Sequence, residues 1–312
     1  MEEKKLDLNT IIGFVLIFAI FIWIMYQNQP SEAEVAAEKA KKEQVEKAKT
    51  PNVAESKPAV VTDTVAADSL QLSELKSTLG DFAYSATLPS AKQSETTLEN
   101  KLVKLTISNK GGYITEATLK GFERFHKGSG QLVKLIDNNN ASLNLKLQTK
   151  DNRTLDTKNL YFEPTLTKVG QNQVLSMKLK TGPASFLEYR YVLKPNDYML
   201  DFDVRSQGLG KTLNTAQPID LQWDLKAFRN EKSVAYENRY AEVVYEYEEG
   251  KDTYLGQDKD ERETAADVTF AAYKQHFFTS ILLTKTPFKT ADFESRNLVD
   301  DDQRDTIFTK QF

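Results

Sequence analysis

The chain has 312 residues, a net charge of −4 and no cysteine. That charge argues against a nucleic-acid partner, and the absence of thiols excludes disulfides and thiolate metal sites. With only two histidines, His126 and His276, histidine-rich metal or triad chemistry has little to build on, while the length suffices for one large domain or two small ones.

The first seven residues, MEEKKLD, form a short charged stub. Ile11 to Tyr26 then read IIGFVLIFAIFIWIMY, sixteen apolar or near-apolar residues inside an uncharged stretch from Leu8 to Ser31. Eleven of the residues from Ile11 to Met25 are Ile, Leu, Val or Phe, which together favour insertion by about 3 to 7 kcal/mol. A helix of sixteen residues rises about 24 Å against a hydrocarbon core of ~30 Å. Leu8, Asn9, Thr10 and Gln27 can extend it into the interface, and Trp23 and Tyr26 stand where an aromatic belt would sit. Residues 8–28 are therefore expected to form one transmembrane helix in the lipid bilayer, with Ile11, Phe14, Ile17, Phe21, Trp23 and Tyr26 among its anchoring side chains. A buried core helix is the weaker reading, because no other segment has an apolar surface to cover it on all sides. A cleaved signal peptide is the stronger rival. The mixed charge of MEEKKLD and the long apolar run favour an uncleaved anchor, and without cysteine there is nothing to lipidate. The lysines on the two sides nearly balance, so the positive-inside rule is close to neutral. A short N-terminal stub inside with the bulk translocated is the usual outcome for such an anchor.

Residues 29–95 are expected to be a flexible linker. Residues 32–50 are rich in Ala, Glu and Lys without an apolar stripe, a solvated spacer. Pro51 and Pro58 interrupt the next stretch, which is mostly small and polar. Leu70, Leu72 and Leu75 make a short apolar patch that could form one transient helix.

From about Thr96 the pattern changes to period two. Val103, Leu105 and Ile107 alternate with polar residues and lead into Asn109-Lys110-Gly111-Gly112, a hairpin turn signal. Leu143, Leu145 and Leu147 alternate likewise, as do Leu175, Met177 and Leu179, then Leu187, Tyr189, Tyr191 and Leu193, then Leu200, Phe202 and Val204. Ile219, Leu221, Trp223 and Leu225 follow. Val268, Phe270 and Ala272 begin another strand, and Phe277 to Leu283 is a more continuous apolar run. Asn138-Asn139-Asn140, Gly170, Gly182-Pro183, Pro195-Asn196-Asp197 and Gly208 to Gly210 supply the turns. Many strands at this spacing, each with one apolar face, predict a large antiparallel β-sandwich over 96–312.

Catalytic signals are thin. The chain has no glycine-rich phosphate loop, nucleophile elbow or paired-histidine helix. The acids from Glu246 to Glu263 do not follow a calcium-loop spacing and read as a solvated loop. His126 reads as a surface residue and His276 as a strand residue with a satisfied ring. Tyr189, Tyr191, Tyr245 and Tyr247 read as sheet packing rather than a sugar-stacking platform. No cofactor, metal or catalytic residue is expected, and the chain does not read as an enzyme.

Five stretches, in order, carry a resemblance. They are Leu8 to Ile17 (LNTIIGFVLI), Leu105 to Gly112 (LTISNKGG), Leu187-Glu188-Tyr189 with Asp197 to Phe202 (DYMLDF), Glu237-Asn238-Arg239-Tyr240, and Ala272 to Ser280 (AYKQHFFTS). Each is weak alone; together they resemble the YidC-type membrane protein insertases. Phe270 stands where that family often has Trp. The resemblance implies an N-terminus in the cytoplasm, a single anchor and a large periplasmic β-sandwich of mutarotase-like supersandwich type, in the bacterial inner membrane. It implies that the family inserts and helps fold integral membrane proteins, alone or with Sec translocon components. In the family that work is done by five further transmembrane helices forming a hydrophilic groove with an arginine. The chain stops at Phe312 before any of them, so a fragment or a truncated product is expected, without insertion activity of its own. The alternative is a membrane-anchored carbohydrate-binding or mutarotase-like domain.

Overall fold

A computed structural model describes residues 72–125, 128–256, 259–299 and 307–312. The chain there is mostly antiparallel β-sheet. A helix over 72–79 (α1), a 3-10 turn at Gly80–Phe82 and a short helix at Ala83–Ala86 (α2) come first. Four strands follow: Glu95–Glu99 (β1), Val103–Ser108 (β2), Ile114–Glu123 (β3) and Leu132–Ile136 (β4). They pair in sequence order as one sheet. Glu163–Val169 (β7), Asn172–Lys180 (β8), Phe186–Leu193 (β9) and Leu200–Gln207 (β10) form a second four-stranded meander.

The remaining strands form an eight-stranded sheet. They are Ala141–Gln148 (β5), Thr154–Asp156 (β6), Asp220–Phe228 (β11), Glu242–Tyr247 (β12), Lys251–Leu255 (β13), Glu261–Lys274 (β14), Thr279–Asn297 (β15) and Phe308–Gln311 (β16). Their order is β13-β12-β14-β15-β16-β11-β5-β6. A helix at Val234–Arg239 (α3) joins β11 to β12, capped by Ser233, whose hydroxyl accepts from the Tyr236 amide at 3.3 Å.

Alternation in the sequence becomes alternation in space. On β8, Leu175, Met177 and Leu179 are buried while Ser176, Lys178 and Lys180 are not. On β9, Leu187, Tyr189 and Tyr191 do the same. These side chains meet Val103, Leu105 and Ile107 of β2 and Leu145 and Leu147 of β5 in one core. Each large apolar side chain buried there contributes roughly 1.5–3 kcal/mol. Tyr189 and Tyr191 are buried with their hydroxyls satisfied, donating to Thr157 Oγ1 at 3.0 Å and to the Gly112 carbonyl at 2.7 Å.

The second core lies within the eight-stranded sheet, which coils onto itself. Trp223 of β11 stacks on Tyr273 of β14 at 4.1 Å, although the two strands stand three places apart in the order. Phe312 stacks on the same tyrosine at 4.9 Å, and Tyr245 on Phe293 at 4.2 Å.

The turns expected at Gly170, Gly182-Pro183 and Pro195 to Asp197 all fall between paired strands. Asn138 and Asn139 take positive φ of 51° and 59° in the β4–β5 connection, a conformation asparagine tolerates. Gly112, in the β2–β3 turn, has φ 68°. A Cβ there would sit 3.1 Å from the Phe162 and Tyr189 rings.

Two expectations need correction. The linker was expected to run to residue 95, yet the chain is ordered against the sheets from residue 72. Phe82 is 1% exposed within the first core. Asp81 accepts from the Thr212 hydroxyl at 2.6 Å, Arg153 donates to the Ser77 carbonyl, and Asn109 bridges to the backbone of Ser90 and Ser94. The segment is held by these hydrogen bonds and by Leu79, Phe82 and Ala83 against the core, too few apolar positions to stand out from a linker. The acids of 246–263 are likewise not one solvated loop. They belong largely to β12, β13 and the start of β14, with a tight turn at Glu248–Gly250.

Candidate functional site

An apolar cleft of about 450 Å³ opens between the strands. One wall is Leu105, Ile114 and Leu119 of β2–β3 with Leu135 of β4; the other is Tyr191, Leu200 and Phe202 of β9–β10. Leu143 and Trp223 contribute from the large sheet. Among the described residues, no carboxylate, lysine, arginine or histidine lines it.

The edge of the cleft leaves large apolar side chains in solvent: Phe277 is 69% exposed, Tyr198 47%, Phe122 45% and Met199 43%. Phe122 meets Phe278 edge-on at 5.5 Å. Scattered exposed hydrophobics are ordinary, but a contiguous set around an apolar hollow marks a site of interaction.

Behind Phe277 and Phe278 lies a buried polar node. Glu237 of α3 accepts the Asn230 amide at 2.9 and 3.0 Å and the Glu231 amide at 3.1 Å. The side chain of Gln275, first residue of the β14–β15 turn, donates to Glu237 at 3.2 Å and to the Phe228 carbonyl at 2.6 Å. Burial pushes the Glu237 carboxyl above the usual carboxylate range, opposed by the two backbone amides. His276 lies in the turn, not in a strand. Its Nδ1 pairs with Glu231 at 2.9 Å and its ring stacks on Tyr240 at 4.7 Å. Lys274 pairs with buried Glu242 of β12.

The stretches Glu237 to Tyr240 and Ala272 to Ser280, far apart in the chain, thus meet at one place. Ile11, Phe14, Ile17, Phe21, Trp23 and Tyr26 lie outside the described residues, as does His126. Among the described residues no helix is long and apolar enough to cross a membrane. Sequence reasoning missed the cleft itself, whose only local signal was the apolar run from Phe277 to Leu283.

Residues 95–311 match the family model of the YidC periplasmic domain. Three relatives carry the name membrane protein insertase YidC. That of Bacteroides fragilis is 29% identical over 293 residues, 93% of this chain and 45% of the relative. That of Parabacteroides distasonis is 28% identical over 306 residues, covering 95% and 47%. That of Porphyromonas gingivalis is 30% identical over 290 residues, covering 91% and 44%. The chain spans less than half the length of these relatives. With a family match across most of its length, the chain belongs to the YidC family.

Proposed function

We propose that this chain is the membrane anchor and periplasmic part of an insertase that inserts and helps fold integral membrane proteins, alone or with Sec translocon components. The observation that carries the reading is the family match over residues 95–311. In this reading residues 8–28 cross the inner membrane with the N-terminus in the cytoplasm. The sheets form a supersandwich on the periplasmic side. The apolar cleft receives exposed apolar segments of client membrane proteins. Such segments lack a solvated resting place outside the bilayer, and an apolar hollow lowers the cost of keeping them there. The carbohydrate alternative is not favoured: an epimerase needs histidine or carboxylate at its concave face, and none lines the cleft among the described residues.

Because the chain has no cysteine, single-cysteine variants report topology cleanly. Lys168→Cys, on exposed β7, should be labelled by a membrane-impermeant maleimide in cells with a permeabilised outer membrane. Glu3→Cys should be labelled only after the inner membrane is broken. The reverse pattern would overturn the orientation.

A further inference from the structure

The turn Gln275–Phe278 is held more firmly than a hairpin tip requires. Its Gln275 amide closes the turn by donating to the Phe278 carbonyl at 2.7 Å. The Gln275 side chain is buried and tied to α3 through Glu237 and to β11 through the Phe228 carbonyl. His276 is clasped by Glu231, Tyr240 and, edge-on at 5.1 Å, Tyr236. The two residues that follow differ in kind. Phe277 is presented to solvent, and Phe278 packs against Phe122 in the cleft wall.

The node is a costly way to make a turn. It buries Asn230, Glu237 and Gln275 together. Asn230 Oδ1 has no hydrogen-bond partner among the described residues. A buried polar network with an unsatisfied acceptor costs stability relative to an apolar core, and its return is a single fixed geometry. Here the fixed object is the pair of aromatic side chains at the edge of the cleft.

We infer that Glu237 is a positioning residue for that site: through Gln275 it sets the 275–278 turn so that Phe277 and Phe278 form the mouth that receives an extended apolar peptide segment. The inference rests on the reading of the cleft given above. Glu237 itself does not line the cleft, so its effect on binding must pass through the turn. A role in stability alone would lower the unfolding midpoint and leave the folded cleft unchanged.

The test uses the full chain in nanodiscs with Trp23→Phe, which leaves Trp223, a cleft residue, as the sole tryptophan. The probe is a dansylated decapeptide of alternating Leu and Ser, read by energy transfer from Trp223. Phe277→Ser should weaken binding about tenfold, the loss of one aromatic anchor, with an unchanged unfolding midpoint because Phe277 is exposed. Glu237→Gln, and Gln275→Met as a second variant if the first does not fold, should weaken binding about fivefold or more. Each should also raise acrylamide quenching of Trp223 in the folded protein. Wild-type affinity and quenching in the folded node variants, with the Phe277→Ser loss intact, would overturn the positioning role alone. No binding to the unaltered chain, or no effect of Phe277→Ser, would overturn the cleft reading and this inference with it.

Discussion

Glu237 and Lys310 are ionisable side chains buried in the fold. Lys310 is fully buried on β16, and its ammonium donates to the carbonyls of Gly256 and Lys259. It thereby closes the loop between β13 and β14, where Gly256 lies too close to Ser295 for any Cβ. Lys310→Met should cost about 2–4 kcal/mol, since it strands the buried Gly256 carbonyl without restoring a donor; a loss below about 0.5 kcal/mol in denaturant titration would contradict that role. Glu237 acts in the opposite sense to most carboxylates. Its pKa is raised from 4.5 by burial, with Glu231 adding to the shift and the Asn230 and Glu231 amides and Arg229 opposing it. The native state therefore holds this proton more readily than the unfolded chain. Its contribution to stability grows as pH falls from neutral through the raised value towards 4.5. Glu261, held low by Lys259 and the Gly256 amide, contributes stability that is lost as pH falls through its lowered value. The stability gap between the unaltered chain and Glu237→Gln should widen in favour of the former between about pH 7 and pH 5. A gap that narrows would show that the carboxyl is not destabilised by burial.

At the scale of elements, what was legible in the sequence was whatever obeys period two. β8 and β9 could be read residue by residue, because one face of each meets a core and the other meets water. The Asn109 to Gly112 hairpin was equally plain, since its glycines answer a steric demand. Of the segment from α1 through α2, the patch at Leu72 and Leu75 pointed to the helix, but the packing of the segment against the sheets was not legible. Its polar contacts run from the Thr212 hydroxyl to Asp81, from Arg153 to the Ser77 carbonyl and from Ser85 to the Tyr161 carbonyl, and Ser and Asp serve linkers just as well. Phe82 is its one large buried ring. Phe82→Ala should destabilise the fold by about 3–5 kcal/mol, the range for a buried aromatic, and not leave it unaffected as a linker residue would. The acids of β12 to β14 misled for a related reason: charges on the open face of a hairpin look like a charged loop when the alternate positions are short on aliphatics.

The cleft belongs to the whole molecule and to no element in it. Phe122, Tyr198 and Phe277 come from the end of β3, the β9–β10 connection and the β14–β15 turn, and only the folded chain brings them to one edge. A strand pattern reports which face is apolar; it carries no information on which apolar residues will be left uncovered. The family resemblance drew on the stretches that build the node, and the geometry brings them together behind Phe277 and Phe278. The central question is whether Phe277 at the edge of the cleft meets membrane-protein clients. The most direct measurement places a photo-crosslinking phenylalanine analogue at Phe277, and as a control at exposed Tyr254 on β13, in the full chain in membrane vesicles bearing a ribosome-stalled, radiolabelled single-span membrane protein. An adduct between this chain and the labelled client is expected from position 277 and not from position 254. Equal adducts from both positions, or none from 277, would contradict it.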